Sequence, residues 1–163
     1  MLTVVSSYTE PASVCTLVRG DAVGYRSVLN SNKWFLASAQ TQAWLGPDDV
    51  YPCSARWVLS VDVLPPATSP SEYRSPVFLV EARKNIFAGF RTFGRGELLR
   101  FLFRCCFEGP KHLCSSPHEN ILLLEDQQIA VVHWLPAYGC WQLHVRGDLP
   151  YMVNPGTRIF ALQ

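Results

Sequence analysis

One helix pattern followed by a series of strand patterns constrains the fold of this chain more than any other feature. Residues 97–107 read ELLRFLFRCCF, in which apolar side chains recur at helical spacing on one broad face. Arg100 and Arg104 lie four residues apart on the other face. The spacing predicts a helix with one buried face, and Gly109 and Pro110 are expected to end it.

Four short segments rich in apolar residues follow this helix. They are predicted to be strands, at residues 121–124, 129–134, 140–145 and 157–162. Short segments with turn-forming residues separate them, such as Asn154-Pro155-Gly156 before the last run. Consecutive strands joined by turns favour an antiparallel meander, so this part of the chain is predicted to be a helix followed by an antiparallel sheet.

The first part of the chain is also rich in strand patterns. Four strands are predicted there, at residues 3–7, 13–18, 34–39 and 56–63. A short helix is predicted at residues 22–30, with Asp21 as its N-cap. The apolar runs at residues 76–82 and 86–90 are predicted to form a hairpin, with a turn at residues 83–85.

The one break in composition is residues 64–76, LPPATSPSEYRSP, which hold four prolines. Proline excludes a helix or a central strand, so an exposed loop between two halves is expected. Neither half is large enough to bury a core alone. We therefore expect residues 1–163 to form a single α+β domain, an antiparallel, strand-rich sheet with a few helices packed on it.

Composition narrows the class of protein further. Of the 163 residues 48% are hydrophobic and 17% are charged, with a formal net charge of +1, which indicates a folded chain and gives no sign of nucleic-acid binding. A low charge content favours a protein partner or a homo-oligomer. No apolar run reaches the ~18 residues of a membrane span, and no signal-peptide pattern precedes residue 12. We expect a cytoplasmic or nuclear protein with reduced cysteines and no membrane contact.

Cys106, His112, Cys114 and His118 lie close together in sequence at the end of the predicted helix and after it. Thiolate and imidazole are the ligands that zinc prefers, and four of them close a structural site. A structural zinc is therefore one hypothesis, and a buried cysteine followed by a polar loop without any cofactor is the other.

Cys53 and His133 are candidates for a catalytic pair, because a cysteine nucleophile needs an imidazole that is distant in sequence but near in space. The segment around His133, VVHWLPAYGCW, resembles the histidine strand of papain-like viral leader proteases. That resemblance implies a cysteine protease, with Asp148 as a candidate to orient the imidazole. The alternative is a hydrogen-bonded histidine on a strand.

The five tryptophans suggest different roles. Trp57, Trp134 and Trp141 fall on predicted strands and are expected in the core. Trp44 lies near a predicted turn at residues 46–49. Exposed aromatic side chains are effective anchors for a partner, so Trp44 is the candidate for partner binding, with a lid over the edge of the core as the alternative.

A wider resemblance covers most of the chain. Residues 17–29, LVRGDAVGYRSVL, and the helix-to-strand pattern of residues 97–153 are similar to modules of the herpesvirus US-twenty-two superfamily, which is related to bacterial SUKH immunity proteins. The resemblance implies a non-enzymatic α+β domain of a virus that binds host proteins and antagonises the host response. It implies no binding residues.

Together these observations favour a non-enzymatic protein-interaction domain. A cysteine protease that uses Cys53 and His133 is the alternative from another class, and a zinc-stabilised adaptor is the third.

Overall fold

The computed structural model describes residues 1–21, 35–46, 50–108, 111–147 and 151–163. Within these ranges the largest sheet has seven strands. Numbered along the chain, they lie side by side in this order: β2 (Ala12–Leu17), β6 (Arg56–Asp62), β13 (Arg158–Leu162), β9 (Asn120–Leu123), β10 (Gln128–Leu135), β11 (Cys140–Gly147) and β4 (Phe35–Ala37). Two neighbouring pairs are parallel, β13 with β9 and β11 with β4, and the others are antiparallel.

Six short strands form three further pairs among the described residues. These pairs are β1 (Thr3–Val5) with β7 (Glu72–Arg74), β8 (Val77–Phe78) with β12 (Met152–Val153), and β3 (Gly20–Asp21) with β5 (Pro52–Cys53). The three described helices are α1 (Ala39–Leu45), α2 (Leu79–Asn85) and α3 (Arg95–Glu108). The expected fold class, a strand-rich α+β domain with helices on a mostly antiparallel sheet, is confirmed.

Each face of the large sheet carries a buried core cluster. On one face α3 packs on a core cluster that includes Leu98, Phe101 and Val132. On the other face α2 packs on a second cluster that includes Leu79 and Val131. Val131 and Val132 are consecutive on β10, and strand side chains alternate between faces, so one strand supplies both cores.

Strand β6 precedes the proline-rich segment and β13 is the last strand of the chain, yet the two pair directly. The two halves therefore share one sheet. The proline-rich segment is more ordered than an exposed loop, since residues 72–74 form β7 and pair with β1. Arg74 fixes this segment by donating to the carbonyl oxygens of Ser6 and Pro65, at 2.8 and 2.7 Å.

The helix predicted at residues 97–107 and the four strands that follow it are confirmed with small shifts of their ends. The expected meander is only partly correct, because β13 inserts between β6 and β9 in the middle of the sheet. The helix predicted at residues 22–30 and the Gly109-Pro110 terminator lie outside the described residues. So do residues 47–49 of the turn predicted at 46–49 and Trp34 of the strand predicted at 34–39.

The hairpin predicted at residues 76–90 is wrong. Only Val77–Phe78 is extended, and Leu79–Asn85 forms α2. Leu79 and Ala82, three residues apart, face the core, and Arg83 and Lys84 lie in the last turn, where cations interact favourably with the helix dipole. A short, nearly continuous apolar run fits a strand and a buried helix equally well, and here packing on the sheet decides for the helix.

Among the described residues, no helix is both long and apolar enough to cross a membrane.

Candidate functional site

The structure does not bring Cys53 and His133 together. Cys53 belongs to the core cluster under α3. His133 alternates along β10 with Ile129 and Val131, which belong to the cluster on the opposite face. The sheet therefore lies between the two side chains. Asp148, the candidate to orient the imidazole, lies outside the described residues.

The surroundings of Cys53 also disfavour a nucleophile. Burial raises the pKa of its thiol, and the negative charge of Glu97 raises it further. The thiolate is the reactive form of cysteine, so a raised pKa lowers reactivity at neutral pH. The Sγ atom lies 3.5 Å from the carbonyl oxygen of Ser54, which it contacts as a donor.

The four residues proposed as zinc ligands each make other contacts in the fold. Cys106 is buried in the core beneath α3. The imidazole of His112 stacks on Phe101, with ring centroids 6.5 Å apart. His118 lies against Gly156, where a Cβ atom would approach Nδ1 to 2.3 Å.

Cys114 is fixed by its backbone to a buried asparagine. Its N–H donates to Oδ1 of Asn120 at 2.7 Å, and its carbonyl oxygen accepts from Nδ2 of Asn120 at 3.0 Å. In the described part of the chain, no three or more histidine, cysteine or acidic side chains are grouped to hold a metal ion. The arrangement gives zinc no support, and the zinc site stays a prediction.

Trp44 is half-buried and bound within the molecule. Its indole N–H donates to Oε1 of Gln128 at 2.9 Å. The guanidinium of Arg95 lies over its ring, 4.8 Å from the centroid, and also over the ring of Tyr51 at 5.5 Å. These contacts connect α1 to β10 and to the start of α3. Such contacts are expected if Trp44 covers the edge of the core.

Trp57, in contrast, was expected in the core and is half exposed, at 50%. Trp57 lies near the start of β6, next to Thr16 of the edge strand β2. It is on the same face of the sheet as the cluster beneath α2, which includes Val61 further along β6. The prediction of a buried Trp57 is wrong. The alternation of apolar and polar residues along a strand predicts which face of the sheet a side chain is on, but not how much of that face a helix covers.

Sequence reasoning missed a group of exposed apolar side chains on the β8–β12 strand pair. Phe78 and Met152 lie directly opposite each other in the β8–β12 pair, and they are 46% and 54% exposed. Directly opposed residues project on the same side of a strand pair, with Cβ atoms about 5 Å apart. In the parallel pair of β1 with β7, Val4 and Tyr73 are register partners and are also exposed.

Two cavities open beside these side chains. One, of about 140 Å³, is lined by Phe78, and the other, of about 220 Å³, by Met152. They meet along residues 75–77, which line both. The Ser7 hydroxyl donates to the carbonyl oxygen of Ser75 at 2.7 Å and holds this dividing segment in place.

The charged side chains that line the two cavities are Arg74 and Glu81. The guanidinium of Arg74 is engaged by the two carbonyl oxygens described above. Arg74 keeps its positive charge beside the larger cavity, and Glu81 places an exposed negative charge at the rim of the smaller one. We call Phe78, Met152, residues 75–77 and Glu81 the ribbon surface.

No local signal in the sequence marks the ribbon surface. Exposed Phe78 stands next to buried Val77 in one apolar run, and exposed Met152 stands next to buried Val153. They become neighbours through the pairing of β8 with β12, which are far apart in the chain.

Comparison with known proteins adds nothing to this geometry, since no protein-family model, no curated protein and no solved structure matches the chain.

Proposed function

We propose that this chain is a non-enzymatic protein-binding domain, and that the ribbon surface receives an apolar segment of a partner protein. The observation that carries the proposal is the opposed, exposed pair of Phe78 and Met152 between two cavities. Aromatic residues and methionine are enriched where proteins bind each other, while isolated exposed apolar side chains are common and need no explanation. Here the exposed side chains are adjacent and each borders a concave space.

The shape and charge of the surface specify the partner segment. Two cavities separated by residues 75–77 suit two apolar side chains of one extended segment, one on each side. The carboxylate of Glu81 at the rim of the smaller cavity favours a lysine or arginine beside them. The partner is therefore a protein with a short apolar segment flanked by a basic residue. A host-cell protein is the source that the viral resemblance implies.

The protease alternative receives less support. The thiol of Cys53 is buried with a raised pKa, and His133 lies across the sheet from it. No specific observation favours a second function over protein binding.

A selection from a displayed library of random peptides on the immobilised chain tests the proposal. We expect enrichment of peptides with two apolar side chains and a basic residue. Binding of a selected synthetic peptide should weaken about 30-fold or more in the Phe78→Ser, Met152→Ser double variant, because centrally placed apolar anchors contribute about 2 kcal/mol or more. Glu81→Gln should weaken binding mainly at low salt.

Trp57→Ser is the matched control, since Trp57 is as exposed as Phe78 but lies on a different strand. It should bind the peptide like the unmodified chain. Equal binding by the double variant and the unmodified chain, or no enriched peptide, contradicts the proposal. Sedimentation of the chain alone adds a further outcome: a dimer that dissociates in the double variant would assign the ribbon surface to a second copy and overturn the assignment to another protein.

A further inference from the structure

A cavity of about 480 Å³ lies apart from the ribbon surface, at the end of the large sheet where the parallel strands β9 and β13 finish. Ligand sites in proteins range from about 300 to 1,000 Å³. Charged side chains of both signs line the cavity together with apolar ones. We call it the charged cleft, and its defining residues are Arg56, Arg91, Glu97, Glu125, Phe90 and Leu162.

The backbone fixes Arg91 at this position. Its N–H donates to the carbonyl oxygen of Leu162 at 2.6 Å, and the N–H of Leu162 donates back at 2.8 Å. Two residues later, the backbone N–H of Phe93 donates to the carbonyl oxygen of Leu123 at 2.7 Å. Residues 91–93 are thus inserted between the ends of β13 and β9, and Arg91 is carried on sheet backbone rather than on a free loop.

The two carboxylates converge beside Gly94. A Cβ atom built on Gly94 would lie 2.8 Å from Oε2 of Glu97 and 3.6 Å from Oε1 of Glu125. Glu97 stands in the first turn of α3, and its Oε1 accepts from the backbone N–H of Ser54 at 3.3 Å. One carboxylate is therefore held by the fold, and the other lies close to it.

The four charged groups of the cleft, which all lie on described residues, form no ion pair with one another. Among the described residues, the ion pairs involve other side chains, and no contact joins Arg56 or Arg91 to Glu97 or Glu125. A plain anion in the cleft would meet two carboxylates, and a plain cation would meet two guanidinium groups. A ligand that carries both charges avoids either repulsion.

We propose that the charged cleft binds a small zwitterion of the amino-acid class, a free amino acid or a dipeptide with an apolar side chain. Its carboxylate is bound by Arg56 and Arg91, since guanidinium matches carboxylate geometry. Its ammonium group is bound by Glu97 and Glu125. The apolar side chain lies against Phe90 and Leu162. This site is independent of the ribbon surface and does not rest on the proposed function.

Calorimetric titration of the full chain tests the proposal, with leucine and leucyl-leucine as probes. The matched controls are the N-acetylated form of each, which lacks the ammonium group, and the C-terminal amide of each, which lacks the carboxylate. We expect at least one zwitterion to bind and each of its two blocked forms to bind about ten-fold more weakly or worse, because each loses a charge-assisted hydrogen bond. Inorganic phosphate, an anion without a cation, should not compete.

Two variants assign the binding to the cleft. Arg91→Met and Glu125→Gln keep most of the side-chain volume and should each weaken the zwitterion about ten-fold. Arg19→Met and Glu10→Gln, on exposed residues of the N-terminal part, should leave binding unchanged. Adding the zwitterion to the unmodified chain should change the amide NMR shifts of Arg91 and Leu162. This measurement does not depend on the folding of any variant.

Several results would overturn the proposal. These are no binding by either zwitterion, equal binding by a blocked form, competition by phosphate, shift changes confined to residues outside the cleft, and cleft variants that bind as tightly as the controls.

Discussion

Replacing Gly96 with alanine should destabilise the domain, although alanine is the better helix former. Gly96 lies in the first turn of α3, where the helix meets β5. A Cβ atom there would lie 1.9 Å from the carbonyl oxygen of Pro52, 2.7 Å from its carbonyl carbon and 3.3 Å from the backbone nitrogen of Cys53. All three are backbone atoms, so no side-chain rotation can relieve the overlap.

Two opposing effects set the magnitude. Alanine gains about 1 kcal/mol over glycine within a helix. Overpacking against atoms that must shift costs about 1 to 3 kcal/mol, and occasionally more. An overlap with backbone at 1.9 Å belongs at the high end of that range. We therefore expect the free energy of unfolding to fall by about 2 kcal/mol.

Urea unfolding measures this difference, with Gly89→Ala as the matched control. No atom lies within 4 Å of a Cβ built on Gly89, so that variant should be neutral or slightly stabilised. The slope of free energy against urea should not change, because the surface exposed on unfolding stays the same. A Gly96→Ala chain as stable as the unmodified one would refute the close approach of α3 to β5.

Three further outcomes are expected from urea unfolding. Gln127→Gly should stabilise the chain by about 1 kcal/mol, because Gln127 has φ = 55°, which glycine adopts at no steric cost. Asn120→Ala should destabilise it by about 3 kcal/mol, because a fully buried side chain with three hydrogen bonds is lost. The free energy of unfolding should fall as pH rises from 9 towards 11. Burial raises the pKa of Cys15 and Cys106 from 9.0 to about 11 in the folded chain. In that pH range the unfolded chain therefore releases these two protons more readily than the folded chain does.

Each of these outcomes has a contrary result. A destabilised Gln127→Gly chain would contradict the left-handed turn between β9 and β10. An Asn120→Ala chain no less stable than Asn154→Ala, a change at an exposed asparagine, would contradict the buried contacts of Asn120. A stability that stays flat above pH 9, or that falls as steeply after Cys106→Ala, would contradict the buried thiol.

The elements that sequence reasoning predicted well are those with a long and unambiguous period. Helix α3 shows apolar residues at helical spacing from Leu98 to Cys106, β10 is a nearly continuous apolar run, and β11 alternates apolar and polar residues. Helix α2 was missed because the mostly apolar residues 76–82 fit both a strand and a helix, and only the sheet beneath Leu79 and Ala82 selects the helix.

The candidate sites were beyond prediction for a different reason. Phe78 and Met152 become neighbours only through the pairing of β8 with β12. The charged cleft likewise takes its residues from five separate parts of the chain, which are β6, residues 90–91, α3, the turn before β10, and β13. Cys53 and His133 illustrate the reverse error, since two suitable residue types lie on opposite faces of one sheet.

Hydrogen–deuterium exchange of the chain, with and without a peptide selected on it, tests the central claim about the ribbon surface most directly. The claim is that a partner segment binds beside β8 and β12, so bound peptide should slow exchange of the amides in residues 75–78 and 152–153 and leave β4 and β11 unchanged. Slower exchange in β4 and β11, or no change at residues 75–78, would contradict it.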